Sequence, residues 1–260
     1  MNIHEYIALD PNEKPLDRIV EDGGMCAIFR NIACIGDSLS SGEFEALDNN
    51  GNRSDHDLFE YSWGQFMARR NGFTAYNFSR GGMTAKEYME SFAEARGFWD
   101  EELRAQAYVI ALGVNDICNA KREIGSVADI DPTDYRNNKP TFIGHYAQIV
   151  ARYKQISPNA KFFFVTVPRH KPFLGCPLAE IRDALAALTE HFDNSYLIDL
   201  YTYAPELDEK FCERYFLLGH MSPEGYLVMA EMIDSYIDYI IRHNYDDFRY
   251  VGLDGAGIAH

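Results

Sequence analysis

The sequence predicts an α/β fold: a parallel sheet with helices packed on both faces. Short apolar runs suited to buried strands alternate with stretches of helical periodicity, as at Ala107-Tyr108-Val109-Ile110-Ala111-Leu112 and Lys161-Phe162-Phe163-Phe164-Val165-Thr166-Val167. Several of these runs stop abruptly in Gly, Asp, Asn or Ser, as strands do at the carboxyl edge of such a sheet. No internal repeat or low-complexity linker breaks the alternation, and about five strands are on offer.

At 260 residues and 47% hydrophobic, the chain can bury a sizeable core, and it reads as one domain over 1–260. Lys and Arg number 24 against 40 Asp and Glu, a formal charge of -16 that repels phosphate backbones and anionic headgroups. Nucleic acid and membrane are therefore not expected partners, and no run of ~18 apolar residues offers a membrane span. Cys26, Cys34, Cys118, Cys176 and Cys212 are odd in number, widely spaced and free of any C-x-x-C or zinc-spaced cluster, which predicts a reduced, intracellular protein. The opening residues, Met1 to Tyr6, lack the basic start and apolar stretch of a signal peptide, so the cytoplasm is the expected location.

Taken in order, residues 1–30 form an N-terminal extension in which Met25-Cys26-Ala27-Ile28-Phe29 reads as a short strand or hairpin arm. The run Asn31-Ile32-Ala33-Cys34-Ile35 then enters Gly36-Asp37-Ser38-Leu39-Ser40-Ser41-Gly42. Glycine at 36 permits a tight turn, Asp37 can hold the loop through its own backbone, and Ser38 then faces the crevice beyond the strand. Residues 48–57 are rich in Asp and Asn but lack the closing Glu of a Ca²⁺ loop, so they are read as a loop with no metal. A helix is predicted over 58–70, with Phe59, Trp63, Phe66 and Met67 on one face and Asn71-Gly72 as its stop.

The strand 73–78 leads into Ser79-Arg80-Gly81-Gly82-Met83-Thr84, where adjacent glycines can turn backbone N–H groups toward an anion, and a helix follows from 85 to about 96. The strand 107–112 closes with Gly113-Val114-Asn115-Asp116, and the polar stretch 117–140 reads as a loop insertion on the substrate side. Helix 141–156, strand 161–167, helix 177–192 with Leu178, Ile181, Leu185 and Leu188 in register, and strand 195–200 complete the alternation. In Gly219-His220-Met221-Ser222-Pro223 the serine and proline are the cap and first residue of a helix reaching about Arg242, which leaves His220 just ahead of it.

A hydroxyl, a glycine turn, an amide and an imidazole on loops leaving one sheet make a kit for acyl transfer. Gly36-Asp37-Ser38-Leu39-Ser40, Asn77-Phe78-Ser79-Arg80-Gly81-Gly82-Met83-Thr84, Gly113-Val114-Asn115-Asp116 and Gly219-His220-Met221-Ser222-Pro223-Glu224-Gly225-Tyr226 resemble, in order, the blocks of the GDSL, or SGNH, hydrolase family of serine esterases. The resemblance spans roughly 31–240 and implies a flavodoxin-like, three-layer α/β/α sandwich. It implies that Ser38 is the nucleophile, that the Ser38 N–H, the Gly82 N–H and the Asn115 amide form the oxyanion hole, and that His220 is the general base, with no cofactor and no metal.

The family usually places an aspartate three residues before the histidine, and Leu217 stands there instead. A Ser38–His220 dyad is expected, with the ring supported by a main-chain oxygen near Leu217 or by a carboxylate from elsewhere, such as Asp199 or Glu213. The expected substrate is a small-molecule ester, first of all a small acetyl-type ester on a carbohydrate, with Trp99, Tyr135 and Tyr146 as candidates for stacking on a sugar ring. Rival readings are a catalytically silent ligand-binding relative and a phosphate- or flavin-binding module using the Ser38 loop.

Overall fold

A computed structural model describes residues 9–170 and 175–256. The reading of Met1 to Tyr6 as lacking a signal peptide lies outside the described residues. Elements in chain order are β1 (Asn31–Gly36), α1 (Ser38–Ser41), β2 (Glu43–Leu47), β3 (Arg53–Asp57), α2 (Trp63–Asn71), β4 (Thr74–Ser79) and α3 (85–95). There follow β5 (Ala107–Ala111), α4 (Phe142–Ile156), β6 (Lys161–Val165), α5 (Leu178–His191), β7 (Ser195–Ile198), α6 (Leu200–Tyr203), α7 (Glu209–Tyr215), β8 (Phe216–Leu217), β9 (His220–Met221) and α8 (Pro223–His243).

The main sheet has five strands in the order β4-β1-β5-β6-β7, all parallel. Counting only these strands, the order is that of flavodoxin-like sheets, with its reversal between β1 and β5. Alternation along β1 sends Ile32 and Cys34 into one core layer and Ala33 and Ile35 into the other. On the first face lie α2 and α8, contributing Trp63, Met67, Ile233 and Ile237; on the second lie α3, α4 and α5, contributing Tyr88, Phe142, Tyr146 and Leu185. This is the three-layer α/β/α sandwich that the sequence predicts.

Local chemistry sets the helix starts. Ser62, Thr141 and Ser222 cap α2, α4 and α8 by accepting the N–H of Gln65, Gly144 and Gly225, and Pro223 occupies the first turn of α8. The segment ahead of β1 runs along α8: the Val20 N–H donates to Ser235 Oγ at 3.0 Å, the Met25 N–H to Asp238 Oδ1 at 2.9 Å, and Arg242 pairs with Glu13 at 2.7 Å.

Several expectations change. Gly24–Ile28 is a 3-10 turn, not a strand or hairpin arm, because Cys26 is buried against α8 while the Met25 N–H is taken by Asp238. Residues 48–57 are a loop only at their tip; Arg53–Asp57 pairs antiparallel with Glu43–Leu47, and Asp48 closes the turn by accepting the N–H groups of Asn50 and Asn52. The helix expected over 58–70 starts at Trp63, after a separate 3-10 turn at Phe59–Tyr61. Cys118 and Cys176 form a disulfide across a sequence separation of 58, which overturns the fully reduced reading: the 117–140 insertion folds back against the segment ahead of α5, where the two Cα atoms stand 5.3 Å apart. No helix among the described residues is long and apolar enough to cross a membrane.

Phe163 on β6 is fully buried and packs against Phe29 at 6.2 Å, Tyr196 at 5.7 Å and Phe248 at 6.3 Å between ring centres. Phe163→Ala is expected to lower the unfolding free energy by about 3–5 kcal/mol, read from urea denaturation. Alkylation of the denatured, unreduced protein is expected to modify Cys26, Cys34 and Cys212 only, with Cys118 and Cys176 becoming reactive after reduction. Mass spectrometry of the alkylated peptides checks this pairing.

Candidate active site

The carboxyl ends of β4, β1 and β5 are level, since Gly36 stands opposite Ser79 on one side and Ala111 on the other. The loops leaving these strands carry Gly82, Ser38 and Asn115 respectively, so the three meet where the strand order reverses. At Gly36 a Cβ would sit 2.1 Å from Ser40 Oγ, so the strand can turn into α1 only without a side chain there. Asp37 caps α1: its Oδ1 accepts the Leu39 N–H at 3.2 Å, and its Oδ2 accepts from Asn115 Nδ2 at 3.1 Å. Burial pushes the Asp37 carboxyl up to about 6.

Asn115 is oriented from its other end by Asn119 Nδ2, which donates to Oδ1 at 2.7 Å. With Asp37 taking one amide hydrogen, the second remains for a ligand. Gly82 has φ +71, a backbone angle that favours glycine, and neither its N–H nor that of Ser38 has a protein acceptor among the described residues. The Gly82 and Asn115 loops are tied together by buried Asp116, whose Oδ2 accepts the Ala85 N–H at 2.9 Å while Arg122 stands 3.5 Å from its Oδ1. Burial pushes the Asp116 carboxyl up to about 6 as well.

His220 lies on the short β8–β9 hairpin, whose turn residue Leu218 is left-handed at φ 58. Its partners come from β2. Along that strand Glu43 and Glu45 share a face, and both reach the imidazole: Glu45 Oε1 contacts Nδ1, and Glu43 Oε1 is 3.2 Å from Nε2. Glu45 is buried and fully engaged, pairing with Arg53 at 2.8 Å and accepting the Gly219 N–H at 3.1 Å. Burial pushes the Glu43 carboxyl above the usual carboxylate range, and its main-chain carbonyl accepts from the Tyr226 hydroxyl at 2.7 Å.

Ser38, Gly82, Asn115 and His220 all line one cavity of about 350 Å³, with Glu43 beside them. Trp63, Val165, Leu207, Met229 and Ile233 give it an apolar floor. His170 lines it too, with Nε2 3.2 Å from Cys212 Sγ.

Of the two supports expected for the histidine ring, the structure shows a carboxylate from elsewhere in the chain, but it is neither Asp199 nor Glu213. Nδ1 is taken by Glu45, not by a main-chain oxygen near Leu217, whose side chain is exposed. Asp199 is a cap: its Oδ1 accepts the Thr202 N–H at 3.0 Å and stands 3.3 Å from Thr166 Oγ1. Glu213 is exposed on α7. The proposed sugar-stacking aromatics are also outside the cavity: Tyr146 is buried with its hydroxyl on the Ile110 carbonyl at 3.0 Å, Trp99 tilts against Tyr153 at 4.6 Å, and Tyr135 belongs to a 3-10 turn of the insertion. Glu43 and Glu45 went unrecognised; their sequence signal is an acidic pair at strand spacing directly after the Ser38 turn.

Comparison with solved structures places a carbohydrate acetylesterase from Sinorhizobium meliloti among the similar folds, at 15% identity and a TM-score of 0.54, covering 81% of this chain and 99% of that one. A family two carbohydrate esterase from Clostridium thermocellum, solved as an active-site mutant, is similar over 90% of this chain and 66% of that one, at 17% identity and a TM-score of 0.57. A family 2 carbohydrate esterase from Corynascus thermopiles matches at 15% identity and a TM-score of 0.56, over 88% and 69% of the two chains. A comparison with curated proteins gives no match. The sequence profile of the GDSL-like Lipase/Acylhydrolase family matches residues 34–228, and this chain therefore belongs to that family of carboxylic ester hydrolases.

Proposed function

We propose that the protein hydrolyses small acyl esters, acetyl esters of a carbohydrate first among them, by a serine-histidine mechanism. The observation that carries this reading is the meeting of Ser38, Gly82, Asn115 and His220 at one cavity, with the far nitrogen of the ring held by a buried carboxylate. Glu45 does the work of the missing family aspartate: by accepting from Nδ1–H it leaves the lone pair on Nε2, and it stabilises the imidazolium that forms when Nε2 takes a proton.

His220 Nε2 removes the proton from Ser38 Oγ as the oxygen attacks the ester carbonyl. The negative oxygen of the tetrahedral intermediate is met by the Ser38 and Gly82 N–H groups and by the free amide hydrogen of Asn115. The imidazolium returns its proton to the leaving alcohol. Water then attacks the acyl-serine by the same route, releasing the acid and restoring Ser38. The cavity volume of about 350 Å³ suits a small ligand, and carbohydrate esterases stand among the similar structures.

Ser38→Ala is expected to abolish hydrolysis of p-nitrophenyl acetate and labelling by a fluorophosphonate probe; unchanged turnover by this variant removes the nucleophile. Asn115→Ala is expected to cost ~10²–10³ in kcat. Glu45→Gln is expected to cost on the order of 10³, with circular dichroism unchanged, since the amide still accepts the Gly219 N–H but no longer balances an imidazolium. A series of acyl chain lengths run beside acetylated sugars tests the substrate class, and preference for long chains overturns the sugar-acetate assignment.

A further inference from the structure

One strand holds His220 at both ring nitrogens. The Glu45 contact at Nδ1 suits a general base, whereas the Glu43 contact at Nε2 occupies the atom that has to receive the Ser38 proton. Glu43 also reaches across the crevice: its Oε2 lies against the glycine turn, where a Cβ on Gly81 would stand 2.0 Å from it. A single carboxyl group thus spans from the base to the turn that carries the Gly82 N–H. It lines the cavity that the ester has to enter.

We propose that Glu43 is a latch on His220, a positioning residue that holds Nε2 in the resting enzyme until the incoming ester displaces its carboxyl group. The proposal rests on the serine-histidine reading above and adds a step before it. In the latched state one proton lies between Nε2 and Glu43 Oε1. On opening, that proton leaves with the Glu43 carboxyl group or passes to water, Nδ1–H stays on Glu45, and Nε2 presents its lone pair to Ser38 Oγ–H. No bond to carbon changes until Ser38 attacks.

The surroundings of Glu43 disfavour the ionised form of its carboxyl group. Burial acts against an ionised carboxylate there most strongly, and Asp57 and Asp55 from β3, Glu45 from β2 and Asp37 from the Ser38 turn act the same way, while His220 and Arg53 favour it. Tyr226 meets the strand through its hydroxyl at the Glu43 carbonyl, which anchors the backbone and leaves the carboxyl arm to move.

The test uses Glu43→Gln, which keeps the arm and removes its charge, and Glu43→Ala, which removes both. Both variants are expected to retain Ser38-dependent hydrolysis of p-nitrophenyl acetate, with the acid limb of kcat/KM displaced about one pH unit toward lower pH, so that at a fixed pH on that limb they run about tenfold faster than wild type. Glu45→Gln is expected to be slower at every pH. As a second reading, ¹⁵N NMR of the Ser38→Ala protein, with the His220 signals assigned by their loss in His220→Asn, is expected to show a ring protonated at both nitrogens at a pH where adding Glu43→Gln leaves only Nδ1 protonated. An acid limb that stays in place, whether activity is kept or lost, overturns the latch and leaves the hydrolase reading intact. Absence of Ser38-dependent turnover in wild type overturns the hydrolase reading, and the ring ¹⁵N pattern then decides by itself whether Glu43 holds Nε2.

Discussion

A parallel sheet buried on both faces has nowhere to place polar groups except its edges, and this constraint organises the protein. Strands β1, β5 and β6 are apolar almost throughout, so the residues that can do chemistry are confined to the turns after them. Because the chain reverses its lateral direction between β1 and β5, those turns diverge and leave a crevice between them. Level strand ends place the loops that carry Ser38, Gly82 and Asn115 side by side. Asp37 and Asp116 then fix the loops to one another, each at the cost of a carboxyl group held in a poorly solvated site.

The histidine obeys a different logic. It belongs to a strand pair of two residues each, and its buried partner Glu45 comes from a second hairpin outside the main sheet. A buried carboxylate is tolerated only when its oxygens are met, and Arg53, the Gly219 N–H and the imidazole meet those of Glu45. Arg53 reaches it from the other arm of the hairpin, opposite Leu47, so the pairing of that hairpin places the carboxylate that meets the ring. Burial and charge crowding act together at this one place in an already acidic protein.

Much of this was legible in the amino-acid order. The strands from Ile32, Ala107 and Phe162 are recognisable because they are continuous, β-branched or aromatic, and end in turn residues, and Ser222 with Pro223 marks a helix start by chemistry that acts locally, whereas the start of α2 falls at Trp63 and not at 58 because Ser62 caps it there. The family blocks located the Ser38, Gly82, Asn115 and His220 loops for the same reason, since each is a contiguous motif. What escaped is long-range. Arg53-Ser54-Asp55-His56-Asp57 has the composition of a loop and becomes a strand only because Glu43–Leu47 is there to pair with it. Glu45 meets His220 across 175 positions, and Cys118 meets Cys176 across 58, separations at which spacing carries no information about contact. Tyr146 and Trp99 misled because aromatic side chains serve packing more often than ligands: Tyr146 is buried between α4 and the sheet, and Trp99 packs against Tyr153 of α4.

The division of the site between sheet and hairpins has a consequence for how such a protein can change. The Ser38 turn and the Gly82 and Asn115 loops are moulded by the same packing that stabilises the sandwich, so alterations there are constrained twice. Glu45, whose carboxylate meets the imidazole, is borne by the β2–β3 ribbon, and Phe44 packs that ribbon onto Tyr226 at a ring separation of 5.4 Å without entering the main sheet. The carboxylate at Nδ1 thus reaches the imidazole from a ribbon 175 positions away in the chain, while Leu217, three residues before the histidine, offers no acid of its own.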